Sequence, residues 1–217
     1  ILSGGLDSTT LLYYLLNRGD EVKALTIDYG QRHKREIDSA KQIAKIVGVE
    51  HKIAPLSWLK ELMGGSSQTD DAVSVPQGHY EDKTMRLTVV PNRNMVMLAI
   101  AGSWAIAEKY DSISYGAHRG DRCVYPDCRE EFVGPLNEAL EKADWHKVSI
   151  ERPFINMTKA EIVKLGNELS VPFQNTYSCY RGGEKHCSSN NRCGTCYERA
   201  ESFRLANIVD PTIYACS

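Results

Sequence analysis

The sequence predicts an α/β domain built on a Rossmann-like parallel sheet flanked by helices. Three observations lead there. Short apolar segments of strand length alternate with amphipathic helical segments along most of the chain. A glycine-rich turn, Ser3-Gly4-Gly5-Leu6-Asp7-Ser8-Thr9, joins a strand end to a helix start. Four cysteines, Cys179, Cys187, Cys193 and Cys196, gather near the C-terminus and close the domain with a separate segment.

The elements follow in order. Ile1-Leu2 reads as the end of a strand that begins before the first residue given. Leu11, Leu12, Leu15 and Leu16 recur at helical spacing, and Gly19 stops that helix. Residues 22–28 read as a buried strand. Ile37, Ala40, Ile43, Ala44 and Val47 mark a second helix ended by Gly48, with a strand expected at 49–53. Residues 64–88 break the rhythm. Their polar start, Gly64 to Asp71, predicts a flexible insertion and a candidate lid. A long helix is expected at 95–109, a strand at 112–115, irregular chain at 121–129, a helix at 132–142 and a last strand at 148–154. Thr158-Lys159-Ala160-Glu161 is a capping box that opens a helix carrying Ile162, Val163 and Leu165. A short helix near 198–206 follows the cysteines. The whole of 1–217 is expected to be one domain, with the metal segment at about 177–207.

Bulk properties narrow the function. At 217 residues the chain can bury a real core, and a net charge of −2 argues against a bulk nucleic-acid surface. No apolar run approaches membrane-spanning length, and no secretory signal pattern opens the chain. Four of the seven cysteines lie within eighteen residues, which suits reduced cytoplasmic thiols better than a secreted disulfide scaffold.

The glycine turn is built for anions. A helix N-terminus presents N–H groups and positive potential, Gly4 and Gly5 allow close backbone approach, and Ser3, Ser8 and Thr9 add hydroxyls. Asp7 would repel phosphate unless a cation stood between them, which predicts Mg²⁺ bridging Asp7 to the phosphates. No lysine follows the glycines, so this is not a Walker A loop. The loop, Leu2 to Thr9, instead resembles that of the N-type ATP pyrophosphatases, which split ATP into AMP and pyrophosphate. That resemblance implies adenine held through backbone groups of Asp28-Tyr29-Gly30 and a phosphate-binding lysine at Lys159. A plain helix-capping turn and a solvated helix-end lysine are the alternatives.

The cysteines are separated by seven, five and two residues, and Cys193-Gly194-Thr195-Cys196 is a zinc knuckle pattern. Four soft thiolates predict a closed structural Zn²⁺ site at the C-terminal segment. A redox C-x-x-C pair and replacement of one sulfur by His186 stay open; a neutral surface role is the default for that histidine.

The chain resembles the 7-cyano-7-deazaguanine synthases through segments in family order. These are the loop at 3–9, Asp28-Tyr29-Gly30-Gln31-Arg32-His33, Val90-Pro91-Asn92-Arg93-Asn94, Tyr125-Pro126-Asp127-Cys128-Arg129, residues 177–184 with Cys187, and Cys193-Gly194-Thr195-Cys196-Tyr197-Glu198-Arg199. Two stretches depart from the pattern. Five residues stand between Cys187 and Cys193 where two are usual, and 119–123 is more basic. A longer loop costs little closure entropy, so the site is expected to survive.

The resemblance implies conversion of 7-carboxy-7-deazaguanine and ammonium to the nitrile with ATP, Mg²⁺ and Zn²⁺, in a homodimer. Asp7, Ser8 and Lys159 would carry the catalytic electrostatics. Asp127 would read the base edge, and Arg93 and Arg129 would face the substrate carboxylate or the α-phosphate. A turn role for Asp127 and structural ion pairs for either arginine are the alternatives. Cys128 is expected to be a pocket wall rather than a nucleophile. The same activation chemistry ending at an amide, or at another amine, stays open, as does a tRNA-modifying relative.

Overall fold

Among the described residues four strands form two parallel pairs, and the first residues of the chain lie between them. We analysed a computed structural model, which describes residues 1–79 and 83–216. Strand β1 (Ala24–Asp28) pairs in parallel with β2 (His51–Pro55), and β3 (Ser112–Ser114) pairs in parallel with β4 (Ser149–Glu151). The Leu2 N–H donates to the Leu25 carbonyl at 2.8 Å, and the Ile1 amine donates to the Ser114 carbonyl at 2.6 Å. Residues 1–3 therefore bridge the pairs and give the order β2, β1, 1–3, β3, β4. This is the doubly wound arrangement the alternation predicted, with its order reversing on either side of residues 1–3.

Helices cover both faces. Helix α1 (Leu6–Arg18) ends at Gly19 and α2 (Arg35–Val47) at Gly48, as the sequence predicts. Ala24 packs with Leu12 and with Ala40, Ile43 and Ala44 of α2. Its neighbour Leu25 packs on the other face, with Leu98, Ala101 and Ala105 of α3 (Arg93–Glu108). The two-residue period of a strand sends adjacent side chains into opposite layers, so β1 is buried almost throughout. A short α4 (Asp121–Val124) and α5 (Glu130–Glu141) follow β3. Helix α6 (Lys159–Glu168) carries the expected capping box in full: Thr158 accepts from the Glu161 N–H, and the Glu161 side chain accepts from the Thr158 N–H. Ile162 and Val163 of α6 pack with Leu6, Leu11 and Leu15 of α1 and with Phe203 and Ala206 of α7 (Gly194–Ala206).

Three expectations need correction. The stretch 121–129 is not irregular: it holds α4 and a 3-10 turn over Pro126–Cys128, opened by a proline at its first position. Ser66, Ser67 and Gln68 are fully buried rather than flexible. Their backbone ties to the body, with the Ser67 N–H donating to the Leu87 carbonyl and the Gln68 carbonyl accepting from the Arg32 N–H. Residues 80–82 of the expected lid lie outside the described residues. Finally, α7 starts at Gly194, not near 198. Its buried face includes Thr195, Cys196, Arg199 and Ser202, so hydrophobic periodicity does not reveal it.

Candidate functional site

The loop at 3–8 leaves residues 1–3 at the point where the strand order reverses. Its hydroxyls hold it in shape. The Ser3 N–H donates to Ser8 Oγ at 3.1 Å, the two Oγ atoms lie 2.9 Å apart, and the Gly5 N–H donates to Ser3 Oγ at 3.2 Å. Gly5 stands at the N-cap of α1 and supplies no side-chain cap, which leaves first-turn N–H groups for a ligand. The cleft beside it has a volume of about 230 Å³, and Ser3, Gly5, Leu6, Asp7 and Ser8 are among its walls. A larger cavity of about 470 Å³, between Leu15, Val22, Ala105 and Tyr110, has neither Asp7 nor Lys159 in its lining.

Gly4 and Thr9 do not do what the sequence suggested. Gly4 adopts φ +87°, and a Cβ there would collide with the Glu36 carbonyl and come within 2.7 Å of Ala40 N. It allows α2 to approach the loop; it is absent from the cleft lining. Thr9 is fully buried, and its hydroxyl has no partner. A further glycine takes a share of the close approach: at Gly116, after β3, a Cβ would lie 3.1 Å from Ser8 N. Nothing in the local sequence marks this contact, because it joins segments more than one hundred residues apart.

Lys159 enters the cleft from the first position of α6. Its Nζ lies 3.2 Å from Asp7 Oδ2 and 2.6 Å from Glu198 Oε2. Burial opposes the ammonium charge, but the carboxylates of Asp7 and Glu198 outweigh it and hold the lysine pKa above its ordinary value. Burial likewise pushes Glu198 up, against the pull of Lys159. Asp7 Oδ1 is buried without a hydrogen-bond partner among the described residues. The sequence points to Asp7 and Lys159, whereas Glu198 stands in it only as part of the Cys193–Arg199 motif.

The remaining wall combines rings with polar atoms. Arg93 Nη1 donates to the Tyr29 hydroxyl at 3.1 Å, and its guanidinium lies 5.5 Å from the centre of that ring. Tyr115 Oη, His33 Nδ1 and Arg93 Nε are buried without partners among the described residues, and all three residues line the cleft. Such atoms carry a desolvation penalty. Cys128 is part of the wall, as expected, and burial pushes its thiol pKa well up, which disfavours a thiolate nucleophile.

Asp127 and Arg129 lie elsewhere. Asp127 Oδ2 accepts from the Asn94 N–H at 3.1 Å and so caps the first turn of α3; it is not in the lining. Arg129 is exposed and donates from Nε to the Arg122 carbonyl at 3.0 Å. The 3-10 turn sends these two away from the cleft and keeps Tyr125 and Cys128 in it. Of Asp28, Tyr29 and Gly30 after the apolar part of β1, Tyr29 alone reaches the lining. Its N–H donates to Gln31 Oε1, the Gly30 N–H to Asp28 Oδ1, and the Asp28 carbonyl accepts from Leu56. Those backbone groups are engaged within the protein.

The four cysteines meet as the spacing predicted. The Sγ atoms of Cys179, Cys187, Cys193 and Cys196 all lie within 4.8 Å of one another, and all four residues are buried. Tetrahedral Zn–S bonds of about 2.3 Å require S···S distances of about 3.7 Å, and Cys179 and Cys187 lie 3.5 Å apart. The donor set fits a zinc ion: four soft sulfurs, all buried, lie within reach of a common centre. His186 is not a fifth candidate, nor a surface residue. It is buried, its Nε2 is bonded to the Ser178 N–H at 3.2 Å, and burial lowers its pKa to about 4.

A phosphate-type loop at a sheet crossover, with a buried four-cysteine cluster behind it, defines a nucleotide-site α/β protein with a metal-ready C-terminal segment. Comparison with known proteins narrows this class. Residues 1–207 match the family described as Queuosine biosynthesis protein QueC, and the chain belongs to that family. Similar curated proteins carry the name 7-cyano-7-deazaguanine synthase. The one from Caldicellulosiruptor saccharolyticus is 45% identical over 99% of this chain and 93% of its own length. That from Pseudoalteromonas translucida is 44% identical over 99% and 96%, and that from Archaeoglobus fulgidus is 45% identical over 98% and 88%.

Proposed function

We propose that the chain converts 7-carboxy-7-deazaguanine and ammonia to 7-cyano-7-deazaguanine, the preQ0 of queuosine precursor synthesis, while splitting ATP to AMP and pyrophosphate. One observation carries this reading within the structure. The Ser3–Ser8 loop, Asp7 and Lys159 share a cleft with Tyr115, His33 and Arg93. Anion-binding groups and base-sized polar walls stand side by side. Membership of the family supports the substrate.

The chemistry must overcome a poor electrophile. A carboxylate would have to expel oxide. Attack of its oxygen on the α-phosphorus of ATP breaks the bond to pyrophosphate and makes a mixed anhydride. Ammonia then adds to the carbonyl carbon, AMP leaves and a proton is lost, giving the amide. A second ATP adenylates the amide oxygen; loss of AMP and protons from nitrogen leaves C≡N. Each nitrile thus consumes two ATP.

The protein positions these partners and stabilises charge. The N–H groups at the start of α1, with the Ser3 and Ser8 hydroxyls, would hold the departing pyrophosphate, and Lys159 would share its charge. Mg²⁺, when bound, would neutralise phosphate charge beside Asp7, whose unpartnered Oδ1 suits it. Arg93 would face the substrate carboxylate or the α-phosphate. Zn²⁺ in the cysteine cluster would fasten residues 177–207 to the domain, within one unit spanning 1–217. Small molecules are the partners, with no direct contact to nucleic acid, and the protein would act in the cytoplasm as a homodimer. No helix among the described residues is long and apolar enough to cross a membrane.

Incubation with ATP, Mg²⁺, ammonium and 7-carboxy-7-deazaguanine tests the reading. Mass spectrometry should find the nitrile. Accumulation of the amide alone, or of no product, overturns it.

A further inference from the structure

We propose that Glu198 is a positioning residue that couples the cysteine cluster to the nucleotide site by holding Lys159. The inference rests on the function proposed above and names a part of that site outside the expected set.

Glu198 follows two candidate metal ligands at the start of α7. Cys193 is the N-cap of α7, and Cys196 lies within its first turn. Two residues further, Glu198 Oε2 accepts from Lys159 Nζ at 2.6 Å, with each side chain only 13% exposed. Its second oxygen, Oε1, lies 3.9 Å from His118 Nε2. His118 is itself fixed, because its Nδ1 accepts from the Gly120 N–H and its backbone N–H donates to Asp121 Oδ2. With Nδ1 accepting, the neutral ring carries its proton on Nε2, which points toward Asp121 Oδ1 and Glu198 Oε1.

The next residue locks the rotation of the helix. Arg199 is fully buried, with Nη1 on Thr176 Oγ1, Nη2 on the Phe173 carbonyl and Nε on Thr212 Oγ1. Cysteines at one end and Arg199 on the adjacent position leave Glu198 little freedom.

Asp7 alone already gives Lys159 a counter-charge, and a buried ion pair adds little to stability. A second carboxylate therefore has another use. When phosphates and a cation occupy the loop, Asp7 turns to the cation, and Lys159 needs an anchor that does not move. Glu198 is that anchor, so the geometry of the clip is passed to the lysine through one hydrogen bond.

The test measures ATP affinity, zinc content and both KM values in Glu198→Gln. Zinc content should stay unchanged. ATP affinity should fall and the KM for ATP should rise about 10–100-fold, the size seen when an outer partner of a binding group is lost. The KM for 7-carboxy-7-deazaguanine should not move. Glu198→Asp should restore part of the loss. In a Lys159→Gln background, Glu198→Gln should add almost nothing. If Glu198→Gln does not fold, Glu198→Asp in the wild-type and Lys159→Gln backgrounds decides the same point.

Additive losses in the double variant overturn the proposal. So does a fall in kcat with both KM values unchanged, which is the mark of a smaller folded fraction. Failure of the wild-type protein to make nitrile would refute the proposed function, while its ATP affinity measured against that of the variant still decides the role of Glu198.

Discussion

Lys159 Nζ lies 3.2 Å from Asp7 Oδ2, across the cleft between two helix N-termini. The pair puts a cation and an anion at the mouth of an anion-binding loop. In the proposed mechanism each group has a phosphate-related task, and each would keep the other oriented until a nucleotide arrives. Replacing Asp7 by Ala should reduce turnover by at least about a hundredfold, the usual cost of losing one electrostatic group at a reacting centre. The fold should survive, since Asp7 contributes no core packing. Steady-state kinetics with circular dichroism checks both halves, and undiminished activity would remove Asp7 from the mechanism.

Gly4 and Gly19 separate backbone strain from collision. Both adopt positive φ, +87° and +91°. A Cβ at Gly19 meets nothing within 4 Å, whereas one at Gly4 meets the Glu36 carbonyl. Gly19→Ala should therefore cost about 1 kcal/mol from conformation alone. Gly4→Ala should cost about 3 kcal/mol or more, since overpacking against backbone adds to it. Urea denaturation of the two variants measures the difference; equal losses would contradict the close α2 contact.

Asp127 offers a clean distinction between capping and substrate recognition. Its carboxylate accepts the Asn94 N–H at the start of α3. Asp127→Ala should lower stability by about 1 kcal/mol, as loss of a helix cap does. The KM for the deazapurine acid should change little. Arg93→Ala should do the reverse and raise that KM or lower kcat, because Arg93 lines the cleft. A large KM effect in the Asp127 variant would return it to the base pocket.

The cysteine cluster predicts its own metal. Protein purified under reducing conditions should carry one zinc per chain, and Cys193→Ala should abolish it. Chelation should lower Tm by more than about 10 °C, because metal binding free energy is folding free energy. Zinc well below one per chain, or an unchanged Tm after its removal, would contradict the clip.

Much of this was legible in the sequence because the signals are local. The strand–helix alternation, the capping box at Thr158, the helix stops at Gly19 and Gly48, and the cysteine spacing each fit within a few residues of chain. What was missed depends on contacts between distant segments. Glu198 meets Lys159 across 39 residues, and Gly116 meets the loop across more than one hundred. The start of α7 escapes hydrophobic periodicity because its buried face is partly polar. Asp127 and Arg129 share a motif with Tyr125 and Cys128, but the 3-10 turn leaves only the latter two in the cleft. Motif spacing names residues that travel together; only the backbone path decides which of them face the ligand.

The products of ATP cleavage test the central claim most directly. With α- and γ-labelled ATP, ammonium and 7-carboxy-7-deazaguanine, the protein should release AMP and pyrophosphate, two of each per nitrile formed. Release of ADP and inorganic phosphate would mean that attack falls on the γ-phosphorus, and the activation chemistry assigned to this cleft would be wrong.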